Sequence, residues 1–149
     1  RQIFRHKKRF LDLLLLADEQ ESMIDLYLER GEMFALYDQN ILKTICVVTD
    51  EGGKTIELKN IATDPQYQKQ GYGKRLIRFI SEHYAGKYDT LLVGTGESPL
   101  TIPFYAQNGF KYSHRIKDFF TDNYDHPIYE DGKQLVDMVY LRKELSKSK

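Results

Sequence analysis

The sequence predicts an α/β (α+β) fold in which a mixed, mostly antiparallel sheet is flanked by helices. Apolar residues recur first at helical spacing, then gather in β-rich runs, and then change period again. This gives the order α-α-β-β-β-α-β-α-β-β, with room for a short first strand. Polar and glycine-rich turns join three consecutive strands as in hairpins, whereas a helical stretch joins the third strand to the next as in a crossover. Hairpins combined with one crossover indicate a mixed sheet.

Two helices are predicted before the first long strand. The first carries an apolar stripe of Phe10, Leu11, Leu14 and Leu15. Asp18, followed three residues later by Glu21, resembles a capping box and starts the second helix. The inner face of this second helix would comprise Met23, Ile24, Tyr27 and Leu28. Gly31 is a plausible C-cap for it.

Three strands and a longer helix follow. The strands are predicted over 33–37, 41–48 and 55–63, with polar turns between them. Pro65 ends the third strand, because proline cannot donate to a sheet ladder. A helix is then predicted over 71–84, and its buried face would comprise Leu76, Ile77, Ile80 and Tyr84.

The last third of the chain alternates short elements. A buried strand is predicted over 91–93, followed by a short helix that ends at Asn108 and tolerates Pro103 only in its first turn. Two further strands are predicted over 110–116 and 135–141. An irregular segment rich in acidic and aromatic residues lies between them.

The composition limits the classes of function. With 149 residues, of which 41% are apolar and 30% charged, we expect one domain over 1–149. The 22 Lys and Arg residues balance 22 Asp and Glu residues, so the formal net charge is zero. A nucleic-acid partner is therefore not expected, because such partners favour a basic surface.

The sequence also argues against a disulfide, a metal site and a membrane partner. Cys46 is the only cysteine, and its apolar neighbours are typical of a small buried hydrophobe. The four histidines show no paired ligand spacing. The most apolar stretch, 13–17, is far shorter than the roughly 18 residues that suggest a membrane span. Acidic residues follow it where a secretory cleavage site would lie, so we expect a cytoplasmic protein.

The turn between the third strand and the long helix contains Gly71 and Gly73. Glycines let a backbone approach a ligand closely, and free amides at a helix start favour a phosphate. A dinucleotide fingerprint needs a small residue where Leu76 stands. A Walker loop needs glycine where Gln68 stands and Ser or Thr where Arg75 stands. The remaining alternative is a tight strand-to-helix turn with no ligand.

Three motifs, in the right order on this layout, resemble the GCN5-related N-acetyltransferase (GNAT) family. Gln68, Gly71 and Gly73 match the family's Gln/Arg-x-x-Gly-x-Gly/Ala loop between a strand and a helix. The run 60–65 is similar to the central strand that leads into this loop. The run 104–110 is similar to the family's Tyr-x-x-x-Gly-Phe element near the end of the next helix. The resemblance covers nearly the whole chain.

The resemblance implies acetyl-coenzyme A (acetyl-CoA) as the cosubstrate, with no metal. The amides of 71–74 would bind its pyrophosphate, and the helix dipole would favour the negative charge. Backbone groups of Ile61 and Thr63 would pair with the pantetheine arm, since family members splay the sheet there. The side chains of Lys69 and Arg75 either add phosphate contacts or form a solvated basic helix end. The implied cofactor-binding set is Ile61, Ala62, Thr63, Gln68, Lys69, Gln70, Gly71, Tyr72, Gly73 and Lys74.

Two catalytic residues follow from the same resemblance. Tyr105 falls on the family's acid tyrosine and would protonate the leaving thiolate; the alternative is a core tyrosine beside Phe104. Glu57 lies where histone-type members carry their general base; the alternatives are a salt bridge to Lys59 or solvent exposure. Strand alternation places Glu57, Lys59 and Ile61 on one face unless a bulge intervenes.

The acceptor side is predicted from the segment 118–131. An acidic groove lined by aromatic residues suits a cationic amine, whereas a solvated loop with its aromatics tucked into the core explains the same residues. Several family members have an asparagine near the start of the tyrosine-bearing helix. Ser98 occupies that region in this chain and could contact the cofactor instead.

These observations predict an N-acetyltransferase that moves the acetyl group of acetyl-CoA to a primary amine of a small molecule or peptide. The amine would attack directly in a ternary complex. The alternative is a non-catalytic acyl-CoA-binding sensor or interaction module on the same fold. Either a monomer or a homodimer is compatible with the leucine-rich first helix.

Overall fold

The computed structural model describes residues 1–145 and builds them around a seven-stranded sheet. In chain order the strands are β1 (Gln2–Ile3), β2 (Glu32–Asp38), β3 (Ile41–Gly52), β4 (Thr55–Thr63), β5 (Thr90–Gly96), β6 (Lys111–Ile116), β7 (Tyr129–Glu130), β8 (Lys133–Gln134) and β9 (Met138–Glu144). The α-helices are α1 (Leu11–Ala17), α2 (Glu21–Asp25), α3 (Tyr72–Tyr84), α4 (Ile102–Gln107) and α5 (Phe119–Asn123). Single 3-10 turns cover Lys7–Phe10 and Pro65–Tyr67.

The large sheet has the strand order β1-β2-β3-β4-β5-β9-β6, and β7 pairs with β8 as a separate hairpin. Only β4 and β5 run parallel within the large sheet; its other neighbours are antiparallel. The crossover between β4 and β5 contains α3, as the sequence predicts. The mixed, mostly antiparallel α/β fold and the short first strand are both confirmed.

Helix α3 covers one face of the sheet with the four residues that its periodicity predicts to be buried: Leu76, Ile77, Ile80 and Tyr84. They pack on a cluster that includes Ile56, Leu58, Leu91 and Val93 from the two parallel strands. Burying one such side chain contributes about 1.5–3 kcal/mol, so this contact fixes the helix on the sheet. The start of α3 is thereby held beside the end of β4.

The opposite face is covered by α1 and α2. Leu14 and Ile24 are fully buried there against Met33, Ile45 and Val47 of β2 and β3. No helix within residues 1–145 has the length and apolar character needed to cross a bilayer.

The second helix is shorter than predicted, and both of its predicted caps are wrong. Its N-cap is Gln20, and the Asp18 carboxylate accepts from tyrosine hydroxyls instead. The helix ends at Asp25, and Gly31 does not adopt the left-handed conformation of a C-cap. A β-carbon at Gly31 would lie 2.6 Å from Cγ1 of Val47, so glycine is required there by close packing on β3.

The last strand begins three residues later than predicted. Leu135 is not part of it: its amide donates to the carbonyl of Ile128 (2.8 Å), and its side chain packs on Phe120 and Ile128. This small cluster anchors the segment 118–131, which the sequence predicts to be irregular but which contains α5 and β7. Asp131 and Gly132 both have positive φ and form the two-residue turn of the β7–β8 hairpin.

Candidate active site

The parallel strands β4 and β5 separate halfway along their length. Their pairing runs from Thr55 opposite Thr90 to Leu58 opposite Val93 and ends there. Strand β4 continues along β3 to Thr63, and β5 continues along β9. A gap therefore opens between two central strands, and the backbone edges that face it are free of sheet partners.

A bulge in β4 lies at the point of separation. Val47 of β3 pairs with Asn60 and Val48 pairs with Leu58, which leaves Lys59 as the extra residue. The bulge moves Ile61 to the α3 face with Leu58, while Asn60 points to the α1 face. The expectation that Glu57, Lys59 and Ile61 share one face is therefore wrong, because a bulge does intervene.

The backbone of Ile61 and Thr63 faces the gap. The amide of Asp64 donates to the carbonyl of Lys43 on β3 (2.9 Å), and backbone groups alternate in direction along a strand. Ala62 therefore faces β3, and its two neighbours face the opening. We call residues 68–73, which contain Gly71 and Gly73, the glycine loop. The side chain of Gln68 donates to the carbonyl of Thr63 (3.2 Å), which ties this loop to the edge of β4.

The glycine loop adopts a conformation that few residues tolerate. Gly71 has φ +87° and open space where a β-carbon would lie, so the backbone conformation is the reason for glycine there. Lys69 also has positive φ, at 63°. A β-carbon at Gly73 would lie 3.3 Å from the Phe104 ring, so that glycine permits close packing of α3 against α4.

The start of α3 presents amides without acceptors. The first amides of any helix lack intrahelical partners, and no side chain caps α3 at Gly71. The side chain of Tyr72 does not face this loop, since its hydroxyl donates to Asp38 on β2 (3.0 Å). The side chains of Lys69, Gln70 and Lys74 are exposed beside the loop. The arrangement offers backbone donors and flexible cations to an anion.

A cleft of about 680 Å³ continues from the gap. It is lined by residues 58–63 of β4, by 93–96 of β5, by Gln68, by Tyr105 and by 15–19 at the end of α1. Its far end is formed by the segment 118–131, including Phe120, Tyr124 and Glu130. The cleft thus extends from Gln68, just before the two glycines, to the acidic segment.

Tyr105 lines this cleft. Its ring packs edge-on against Phe104 and Phe110, with ring centroids 5.2 and 5.6 Å away. Within residues 1–145 its hydroxyl has no hydrogen-bond partner. Burial, and secondarily the charge of Glu130, raises the pKa of Tyr105. The hydroxyl is therefore protonated at neutral pH and free to donate.

Glu57 is buried beside the cleft but does not line it. One carboxylate oxygen lies 3.1 Å from Nζ of Lys59 and 3.3 Å from the Tyr140 hydroxyl. Burial raises the pKa of the Glu57 carboxyl, although the charge of Lys59 opposes the shift. Lys59 lines the cleft and connects the carboxylate to it. His114 stacks on the Tyr140 ring with the ring centroids 4.7 Å apart.

The acidic end of the cleft is built from residues far apart in sequence. Asp18 accepts from the hydroxyls of Tyr27 (3.2 Å) and Tyr124 (2.7 Å), which ties the loop after α1 to the segment after α5. Glu130 accepts from the Ser98 hydroxyl (3.0 Å). Local spacing alone predicts a helix cap at Asp18. Only knowledge of its contact with Tyr124, more than a hundred residues away, could have indicated that Asp18 lies at the cleft.

Ser98, which the sequence predicts to contact the cofactor, does not line the cleft. It is buried, and its hydroxyl accepts from the Leu100 amide (3.0 Å) while donating to Glu130. Among the described residues no group of three or more His, Cys, Asp or Glu side chains is placed to hold a metal ion. Cys46 is buried, and burial raises the pKa of its thiol to about 12, as expected of an unreactive cysteine.

Comparisons with known proteins assign the chain to a family. A family model described as an acetyltransferase (GNAT) domain matches residues 29–112. The uncharacterized N-acetyltransferase YvbK of Bacillus subtilis (strain 168) is 39% identical over 137 residues, which are 90% of this chain and 88% of that protein. The chain therefore belongs to the GNAT acetyltransferase family.

Solved structures agree with the fold. A GNAT family acetyltransferase from Elizabethkingia anophelis with acetyl-CoA bound is 36% identical, with a TM-score of 0.84 over 91% of this chain and 90% of that one. A Bacillus subtilis acetyltransferase in complex with CoA is 35% identical, with a TM-score of 0.88 over 97% of each chain. Each of these matches covers at least 91% of this chain.

Proposed function

We propose that this chain is an N-acetyltransferase that transfers the acetyl group of acetyl-CoA to a primary amine in a ternary complex. The separation of β4 and β5 carries the proposal. It opens a cleft that runs along residues 58–63 of β4 and past Gln68 to Tyr105, and the uncapped helix α3 begins four residues after Gln68. Relatives of similar fold have been crystallised with acetyl-CoA or CoA, which supports the same ligand here.

The residues fit this ligand. The amides of 71–74 and the dipole of α3 suit a pyrophosphate, with Lys69 and Lys74 close enough along the chain to add charge. The outward-facing backbone of Ile61 and Thr63 suits an arm with amide groups, which would bind like an added strand. Acetyl-CoA supplies the acetyl group as a thioester.

Tyr105 is the proposed general acid. The amine nitrogen gives its lone pair to the acetyl carbon, the bond from that carbon to sulfur breaks, and its electron pair leaves with the sulfur. The sulfur takes the Tyr105 proton, and the proton released by the new amide nitrogen restores the hydroxyl. A protonated, unpartnered hydroxyl in the cleft is what this step requires.

Glu57 is the proposed general base. An alkylamine is mostly protonated at neutral pH, so one proton must leave before attack. The Glu57 carboxylate would accept that proton through an ordered water, since it lies behind Lys59 and does not line the cleft. A raised pKa makes it a better base than an ordinary carboxylate.

The test is turnover across a panel of primary amines. Thiol release from acetyl-CoA is measured together with mass-spectrometric detection of the acetylated amine. The proposal expects both products in equal amounts with at least one amine. Tight acetyl-CoA binding with no acetylated amine across small molecules and peptides would contradict it and indicate an acyl-CoA-binding module.

A further inference from the structure

We propose that Glu130, positioned by Ser98, binds the ammonium group of the acceptor and holds its nitrogen against the Tyr105 hydroxyl. The inference rests on the proposed function in taking the cleft as the route of the acceptor. It assigns the acceptor to the class of alkylammonium ions, as opposed to neutral amines, and it assigns one residue to their recognition.

The first argument is the electrostatic character of the cleft. Among residues 1–145, its acidic lining residues are Asp18, Glu19 and Glu130, and its basic lining residue is Lys59. Lys59 is paired with Glu57 at 3.1 Å, so its charge is already balanced. A cation is therefore the complementary guest for the remaining carboxylates.

The second argument is the state of Glu130. Its Oε1 accepts from Ser98, while its Oε2 has no partner within residues 1–145. Ser98 is 2% exposed and is fixed by the Leu100 amide at 3.0 Å. A carboxylate with one oxygen fixed and the other free is pre-organised to accept from a ligand.

The third argument is the position of Glu130 relative to Tyr105. Ser98 lies just before α4, the helix that carries Tyr105, so the Ser98–Glu130 bond couples the β7–β8 hairpin to that helix. Tyr105 is only 8% exposed, yet its hydroxyl has no partner within the described residues. Both groups line the same cleft. An accessible hydroxyl on a largely buried tyrosine, with no partner among the described residues, and a half-buried carboxylate leave a place for a group that donates to both.

The experiment measures binding of n-butylammonium and of 1-butanol to the protein–CoA complex by NMR titration. The two ligands have similar shape and differ in charge. In Glu130→Gln the Ser98 bond can persist because the amide oxygen still accepts. We expect this variant to weaken butylammonium binding by at least about tenfold, the effect of losing a hydrogen bond to a charged group, and to leave butanol binding unchanged.

Asp131→Asn is the matched control. It removes the same charge one residue away, at an exposed turn position whose φ of 52° asparagine tolerates. We expect it to leave butylammonium binding unchanged. Equal losses in both variants would overturn the inference, as would wild-type protein that binds butylammonium no more tightly than butanol.

Failure of this inference is distinguishable from failure of the proposed function. Wild-type protein that acetylates amines while Glu130→Gln keeps its affinity for butylammonium refutes only the role of Glu130. Wild-type protein that acetylates no amine refutes the proposed function, and the binding titration still decides whether Glu130 holds the cation. The melting temperature and the affinity for CoA confirm that each variant is folded.

Discussion

Tyr105 combines packing and chemistry in one side chain. Its ring belongs to the buried cluster on the α3 face, and its hydroxyl faces the cleft without a partner among the described residues. Tyr105→Phe keeps the ring and removes only the hydroxyl. We expect kcat to fall by about 10²-fold or more, because general acid catalysis contributes that much, with an unchanged free energy of unfolding. Tyr112→Phe, at a tyrosine that is 61% exposed, is the control. Unchanged kcat in Tyr105→Phe would show that the thiolate leaves without this acid.

The raised pKa of Glu57 predicts a pH effect. A general base must be ionised, so kcat at saturating amine should fall as the pH is lowered through the Glu57 pKa, which lies above the ordinary value of 4.5. Glu57→Gln should lower kcat by up to about 10²-fold and remove this acidic limb. In Glu51→Gln the limb should remain and move to slightly lower pH, since the charge of Glu51 contributes to the shift. An acidic limb that persists in Glu57→Gln would assign the base elsewhere.

Two glycines with the same backbone strain separate binding from folding. Gly71 and Gly53 both have positive φ and open space within 4 Å of where a β-carbon would lie, but Gly53 lies in the β3–β4 turn. Alanine at either site costs about 1–2 kcal/mol through its backbone conformation. We expect Gly71→Ala to raise the KM for acetyl-CoA and Gly53→Ala to leave it unchanged. Steady-state kinetics with acetyl-CoA as the varied substrate provides the measurement. Equal KM values in the two variants would show that the glycine loop does not bind acetyl-CoA.

At the scale of elements, the sequence is most informative where local signals and packing agree. Strand β4 begins and ends at the predicted residues, and the four predicted apolar positions of α3 are buried. Both elements border the glycine loop, so the sequence could predict where the loop lies. It could also predict that backbone amides at the start of α3 are available to an anion.

Elements that depend on distant contacts could not be predicted in the same way. Asp18 resembles a local cap, but its carboxylate is used by Tyr124 from the other end of the chain. The bulge at Lys59 has no sequence mark, and it reverses the face of every later residue in β4. The hairpin turn at Asp131 and Gly132 does have a recognisable signal, an Asp-Gly pair, which the surrounding acidic residues obscure.

The hydrogen bonds of Lys7 predict that this residue stabilises the connection between α2 and β2. Its buried ammonium donates to the carbonyls of Leu28 (3.2 Å) and Gly31 (2.6 Å), which end the connection to β2. Lys7→Met should lower the free energy of unfolding by about 1–3 kcal/mol, because buried carbonyls lose their donor. Lys8→Met is the control, since Lys8 pairs with Glu21 and Asp25 at the exposed surface and should matter much less. Urea unfolding measures the free energy of unfolding of both variants. Equal losses in the two would contradict the role of Lys7 as donor to these carbonyls.

At the scale of the whole molecule, the net charge of zero conceals two regions of opposite sign. Lys69, Lys74 and Arg75 lie at the glycine loop, whereas Asp18, Glu19 and Glu130 line the cleft. The neutral total is the reason why the sequence predicts no nucleic-acid partner. The separation of charge between the glycine loop and the cleft instead suits an anionic ligand at the loop and a cationic ligand in the cleft.

This arrangement predicts selective stabilisation of the whole fold by acetyl-CoA. A ligand that binds only the native state at 100 times its Kd adds about 2.7 kcal/mol to the free energy of unfolding. For a chain of this size that raises Tm by roughly 5–10 °C. ATP and NAD should have little effect, since the glycine spacing suits neither a Walker loop nor a dinucleotide fold.

Gly71→Ala should reduce the rise in Tm that acetyl-CoA causes, and Gly53→Ala should preserve it. Stabilisation by ATP or NAD without stabilisation by acetyl-CoA would contradict the assignment of the cleft. A rise in Tm with acetyl-CoA but no turnover would support the binding site and contradict the catalytic roles of Tyr105 and Glu57.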